Sequence, residues 1–155
     1  MAKRWDGIRI SIDADPKYLD ALRAVLAEST SILGLDEDET AKIALAVTEA
    51  CANIFRHCYG GQPGERIDVE IRFETGLFEI RIADYGEFVD PAQMKGRALD
   101  DVKPGGLGLH FIHTVMDGVE YRKNKWGGTT LILQKRIEES AAAQDEFGFD
   151  DLDAD

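Results

Sequence analysis

The sequence predicts an α+β domain built as a two-layer sandwich, with a sheet on one side and its helices gathered on the other. Three observations carry that reading. Several short runs alternate apolar and polar residues with a period of two, and two of these runs are separated only by a tight turn. Two apolar stripes at helical spacing follow one another directly instead of alternating with strands. At 155 residues the chain is long enough for one cored domain and too short for two ordinary ones. A doubly wound fold would need regular strand–helix–strand units, and these are missing.

Each element has its own signal. Ile8, Ile10 and Ile12 alternate with Arg9 and Ser11, a half-buried strand. Asp15-Pro16 supplies an N-cap and a first-turn proline. Leu19, Leu22, Leu26 and Leu33 then mark a helix over about 16–33, which Gly34 ends. Asp36 opens a second helix, with Glu37, Asp38 and Glu39 where the helix dipole favours acids. Its apolar face runs through Ile43, Val47, Cys51 and Ile54, and it extends to about His57. Gly60-Gly61-Gln62-Pro63-Gly64 breaks the chain. Ile67, Val69, Ile71 and Phe73 form a strand, Thr75-Gly76 turns it, and Phe78, Ile80 and Ile82 form its hairpin partner. Residues 84–104 lose periodicity, with room for a short helix near 91–97; segments of this kind are often lids. A third helix spans Gly105 to about Met116. Val119 and Tyr121 suggest a strand, Gly127-Gly128 a turn, and Thr130, Ile132 and Leu133 a last strand ending near Arg136.

Charge divides the chain. The net charge is −12, but eight acids and no bases follow Arg136, leaving 22 acids against 18 bases in residues 1–136. We expect residues 1–136 to be the domain and residues 137–155 an acidic, disordered tail. The balance argues against a nucleic-acid partner, which needs clustered Lys and Arg. No apolar run reaches the length of about 18 residues needed to cross a membrane. The start, Met1–Asp6, lacks an apolar stretch behind its charges, so a cytoplasmic protein is expected. Cys51 and Cys58 lie about 10 Å apart along one helix, too far for a disulfide.

Three motifs could carry chemistry. Glu49 and Asn53 sit four apart on the second helix, so they share a face one turn apart, with His57 continuing the row and Arg56 beside it. A carboxylate can deprotonate a nucleophile and a carboxamide oxygen can ligate Mg²⁺. Asp84 ends a strand just before Gly86. Its carboxylate can accept a hydrogen bond from an exocyclic amine, and the glycine lets backbone approach a ring. Gly105-Gly106-Leu107-Gly108-Leu109 opens a helix, whose first N–H groups suit phosphate, and Lys103 adds positive charge upstream. No Gly-Lys-Ser or Gly-Lys-Thr follows, and no strand leads directly into the glycines, which excludes the Walker and dinucleotide motifs. Taken singly, these are also an ordinary polar helix face, an ordinary turn and an ordinary linker.

Together and in this order, the motifs resemble the N, G1 and G2 boxes of the GHKL ATPase superfamily, and Gly127-Gly128-Thr129-Thr130 resembles its G3 element. Within the superfamily the chain is most similar to the anti-sigma-factor serine/threonine kinases, over about residues 8–136. The compact size, Thr48-Glu49-Ala50 followed by Asn53 and His57, and the lid ending in Gly-Gly-Leu-Gly-Leu point to that branch. The resemblance implies a Bergerat-type ATP pocket between the helices and a mixed, mainly antiparallel sheet. Glu49 would be the general base on a substrate hydroxyl, and Asn53 would hold Mg²⁺. Asp84 would bind the adenine amine with Gly86 beside the base. Gly105, Gly106, Gly108 and Leu109 would face phosphate, Thr129 or Thr130 would close the adenine end, and His57 would lie near the phosphates. Two departures stand out. Gly86 is followed by Glu87-Phe88 instead of a second glycine, and the serine-kinase branch often places an aromatic such as Phe88 there. The lid holds few bases, namely Lys95, Arg97 and Lys103.

The resemblance further implies a kinase that phosphorylates a STAS-type antagonist in a partner-switching pathway. Its other partner would be a sigma factor or another regulator, and kinases of this branch are commonly homodimers. The alternative is a non-catalytic ATP-sensing module on the same fold. Phe147, Phe149 and Leu152 among the tail acids form a pattern that can dock on a basic groove.

Overall fold

The computed structural model describes residues 7–74, 76–88, 90 and 106–138. Strand β1 (Gly7–Asp13) leads through a single 3₁₀ turn (Pro16–Tyr18) into helix α1 (Leu19–Ile32). Helix α2 (Glu37–Asn53) follows, prolonged by a π-helical turn (Ile54–Cys58). Then come β2 (Arg66–Glu74), β3 (Leu77–Ala83), α3 (Gly106–Val115), β4 (Gly118–Lys123) and β5 (Thr129–Arg136). This is the expected order of elements. The region near 91–97, Lys95, Arg97, Lys103, Gly105 and the tail from residue 139 lie outside the described residues.

The helix starts are made by the expected residues. Asp15 accepts from the Lys17 N–H at 3.0 Å, and Asp36 accepts from the Glu39 N–H at 2.8 Å. Gly34, with φ +73°, turns the chain out of α1 where a side chain would be strained. The hydroxyls of Thr30 and Thr40 lie 3.0 Å apart and tie α1 to α2.

Five strands form one sheet in the order β1-β2-β3-β5-β4. All four neighbour pairings are antiparallel, so among the described residues the sheet is antiparallel throughout instead of mixed. The register lines up the apolar residues in rows that cross the sheet. Ile8, Ile71, Ile80, Leu133 and Val119 form one row, and Ile10, Val69, Ile82, Leu131 and Tyr121 the next. These rows face the helices. With Leu22, Leu26, Ile43, Val47, Cys51 and Ile112 they make the core. Each fully buried side chain of this size contributes about 1.5–3 kcal/mol. Helix α2 packs against α1 on one side and α3 on the other, which sets it over the sheet beside β3's end.

The opposite face is charged. Arg9, Glu70, Arg72, Glu79 and Arg81 form a ladder of ion pairs, with N–O distances of 3.2 Å for Arg9–Glu70 and 2.6 Å for Arg81–Glu79. Such half-solvated pairs contribute little stability individually; they keep this face wet and so direct the apolar rows toward the helices. The fold also runs slightly past the expected domain end. Ile137 packs against the core, and its N–H donates to the Gly76 carbonyl at 3.1 Å.

Candidate functional site

The site lies where the second half of α2, the end of β3, the start of α3 and the start of β5 meet. Two of its parts differ in construction.

The first is the Asp84 corner. Residue 82 faces the core and residue 83 the open side, so the pleat turns Asp84 back toward the helices. Asp84 is 2% exposed. Its Oδ1 accepts from the Gly86 N–H at 3.0 Å and from the Thr129 N–H at 3.1 Å. Its backbone N–H donates to the Thr129 carbonyl at 2.9 Å, and its carbonyl accepts from the Asn124 side chain at 2.8 Å. Gly128 packs directly on it: a Cβ there would stand 2.4 Å from the Asp84 carbonyl oxygen and 2.5 Å from Oδ1. Oδ2 is differently served: among the described residues its hydrogen-bond partner is the Cys58 thiol, at 3.8 Å. Burial and then the Asp84 charge push that thiol up to about 11, so at neutral pH it keeps its proton and donates.

The loop after Asp84 is braced on its outer side. The Tyr85 N–H donates to the Tyr59 hydroxyl at 2.8 Å, and that hydroxyl donates to the Arg66 carbonyl at 2.7 Å. The Tyr85 hydroxyl donates to Asp68 and accepts from Arg66, whose guanidinium also lies 4.6 Å from the ring centroid. The Trp126 ring closes the other side, centroids 5.1 Å apart. The Phe88 N–H donates to the Gly127 carbonyl at 2.9 Å, joining this loop to the β4–β5 turn. A Cβ at Gly86 would come 3.3 Å from that of Cys58, so the backbone is as close to the π-helical turn as it can be.

The second part is the Glu49–Asn53 row. Both side chains are partly exposed on α2, Glu49 at 38%. Gly108, in the first turn of α3, is buried against them; a Cβ there would stand 2.9 Å from Glu49 Oε2 and 3.8 Å from Asn53 Nδ2. The glycine thus lets α3 begin directly opposite the carboxylate. Gly106 is the first residue of α3, and Leu109 is half-buried just beyond. The Arg56 guanidinium reaches back one turn, donating to Asn53 Oδ1 at 2.9 Å and lying 3.9 Å from Glu49 Oε2.

The turn after Asn53 is π-helical, with the Tyr59 N–H donating to the Ile54 carbonyl at 3.1 Å, and His57 stands on it. His57 is exposed and makes no hydrogen bond or ion pair with the described site residues, whereas Cys58 reaches Asp84. Thr130 pairs with Ala83 and points to the open face, where it lines a cavity of about 430 Å³ with Arg9, Asp68, Arg81 and Trp126. Thr129 holds Asp84 through its main chain. The contacts of Cys58, Tyr59, Asn124 and Gly128 with the Asp84 corner have no local sequence signal. The Arg56 bridge has one, since Arg56 lies three residues from Asn53 on the same helical stretch.

The donors suit a magnesium nucleotide. Among the described residues no three His, Cys, Asp or Glu side chains converge to cage a metal. Asn53 Oδ1 offers one hard oxygen, the kind of single protein ligand that Mg²⁺ supplements with phosphate and water. Asp84 Oδ2 is a buried acceptor with a weak partner, ready for an amine.

Residues 12–135 match the family model of the histidine kinase-like ATPase domain, and the chain belongs to that family. It is 33% identical over 145 residues to the serine-protein kinase RsbW of Bacillus pumilus, covering 87% of this chain and 88% of that protein. It is 32% identical over 149 residues to the protein of the same name from Bacillus subtilis, covering 88% and 89%. Within the ATPase family the chain therefore stands among the serine-protein kinases. Two solved structures share the fold. The RsbU and RsbW domains of a Mycobacterium tuberculosis protein match with a TM-score of 0.59 at 20% identity, over 84% of this chain and 32% of that longer one. The SiaB–SiaC complex of Pseudomonas aeruginosa matches with a TM-score of 0.57 at 14% identity, over 83% and 88%. No helix among the described residues is long and apolar enough to cross a membrane.

Proposed function

We propose that this protein is an ATP-dependent serine/threonine kinase that phosphorylates a STAS-type antagonist and, in its other state, captures a sigma factor or another regulator. The observation that carries this is the arrangement of Glu49. Its carboxylate sits one turn from Asn53 and faces Gly108 at the start of α3, while Asp84 is buried beside the π-helical turn that prolongs the same helix.

Asp84 Oδ2 accepts from the adenine amine, and Gly86 lies beside the ring. Thr129 and Phe88 hold that end through their main chains. The first turn of α3, with Gly106, Gly108 and Leu109, offers N–H groups to the phosphates. Lys103 and Gly105, just upstream, belong to the same proposal. Asn53 Oδ1 would hold Mg²⁺, which would supply neutralisation of the phosphate charge. Glu49 takes the proton of the substrate serine or threonine hydroxyl. Its half-exposed position allows a second protein to present that hydroxyl.

The partner assignment rests on the family resemblance and on the relatives' name, serine-protein kinase. We place the protein in the cytoplasm, as a homodimer. The test is incubation with labelled ATP, Mg²⁺ and candidate STAS proteins. Label should move to one serine or threonine of the antagonist, and Glu49→Ala should bind nucleotide without transferring. Tight ATP binding with no transfer to any candidate would leave a nucleotide-sensing module in place of a kinase.

A further inference from the structure

Arg56 occupies the spot where the row needs a cation. It stands on the π-helical turn and reaches back so that one guanidinium nitrogen serves two groups, Asn53 Oδ1 at 2.9 Å and Glu49 Oε2 at 3.9 Å. These are the oxygen assigned above to the metal and the oxygen assigned above to the base. A carboxamide oxygen has two lone pairs, so geometry alone would admit both a guanidinium and a metal. Charge does not: a dication and a guanidinium held about 4 Å apart repel strongly even in a partly solvated cleft.

We propose that Arg56 and the divalent cation exclude one another at Asn53 Oδ1, so that metal loading displaces Arg56 and thereby removes the ion pair from Glu49. Resting on the nucleotide-site reading above, this makes Arg56 a positioning residue that couples two events. The guanidinium beside Glu49 leaves when the metal arrives, so the approach to the carboxylate opens only in the loaded site. The guanidinium is a suitable placeholder because it carries its charge at any ordinary pH, and one of its nitrogens donates to Asn53 Oδ1 while lying within ion-pair distance of Glu49 Oε2. The side chain is 50% exposed, so its displacement leaves no buried charge behind.

The test is a Mg²⁺ titration of the full-length protein held with a saturating, fluorescently labelled ADP, read by the change in fluorescence. Removing the competitor in Arg56→Gln should lower the half-saturating Mg²⁺ concentration about three- to fivefold, the factor a part-exposed charged contact is worth. Arg56→Lys, which keeps a cation, should stay within about twofold of wild type. An unchanged or raised Mg²⁺ requirement in Arg56→Gln, with wild type titrating normally, would overturn the exchange and leave the nucleotide site standing. A wild-type protein that binds labelled ADP with no response to Mg²⁺ would remove the metal from the site and this proposal with it.

Discussion

The two parts of the candidate site are built on opposite plans. At the Asp84 corner almost every polar atom is already committed: two main-chain N–H groups on Oδ1, Asn124 on the carbonyl, and Gly128 packed so closely that no side chain fits. At the Glu49–Asn53 row the groups are partly exposed on one helix face, and their partner is a long side chain. A flat, neutral base needs a rigid acceptor with one open lone pair. A triphosphate, a metal and a protein substrate need groups that can change partners. Under the function proposed above, the corner governs whether nucleotide binds, and the row governs what happens to it.

That contrast breaks most sharply at Glu49. Glu49→Gln keeps the helix face and removes the base, so phosphate transfer should fall about 10²-fold or more with ATP affinity little changed. Single-turnover transfer alongside equilibrium binding separates the two. Gly128→Ala attacks the other plan. Its Cβ would meet the Asp84 carbonyl at 2.4 Å, and forcing backbone apart there should cost about 3 kcal/mol, read as a lowered melting temperature. Gly108→Ala lies between them. Its Cβ would touch Glu49 Oε2 at 2.9 Å; the carboxylate can shift, so the fold should hold while transfer drops about tenfold through misplacement.

The smallest effect concerns pH. Folding pushes the Cys58 thiol from 9.0 up to about 11, chiefly by burial and then by the charge of Asp84. The folded state thus keeps the proton longer than the unfolded chain. Stability from this group is intact below pH 9 and is lost as the pH rises through about 11. Cys58→Ala should flatten that part of a melting-temperature profile against pH; a profile of unchanged slope would show that folding does not raise this thiol's pKa.

The same division decides what was legible in the sequence. Periodicity and caps revealed every described strand and helix, because Ile8–Ile10–Ile12 or Asp36 with its following acids answer to local rules. The Glu49–Asn53 pair was legible for the same reason, as helical spacing puts both on one face. The corner was only half legible. Asp84 and Gly86 stand in a recognisable place, but Asn124 and Gly128 reach Asp84, and Tyr59 the Tyr85 N–H between them, from elements 25 or more residues away in the chain. Spacing along a strand does not report such contacts. The π-helical turn that carries Cys58 to Asp84 cannot be told from an α-helical one by residue pattern. Thr129 and Thr130 read alike in the sequence, and only the strand pleat separates them: Thr130 pairs with Ala83 on the open face, while the Thr129 N–H holds Asp84.

The most direct test is the affinity of Asp84→Asn for a non-hydrolysable ATP analogue, measured by calorimetry beside wild type. The N–H groups of Gly86 and Thr129 keep an acceptor oxygen at Oδ1, so the new amide nitrogen must take the place of Oδ2. The corner would then stay folded while presenting a donor to the adenine amine. Affinity should fall at least about tenfold, the value of a hydrogen bond to a charged group, with the melting temperature little changed. A variant that binds the analogue as wild type does would contradict the assignment of Asp84 as the group that reads the base.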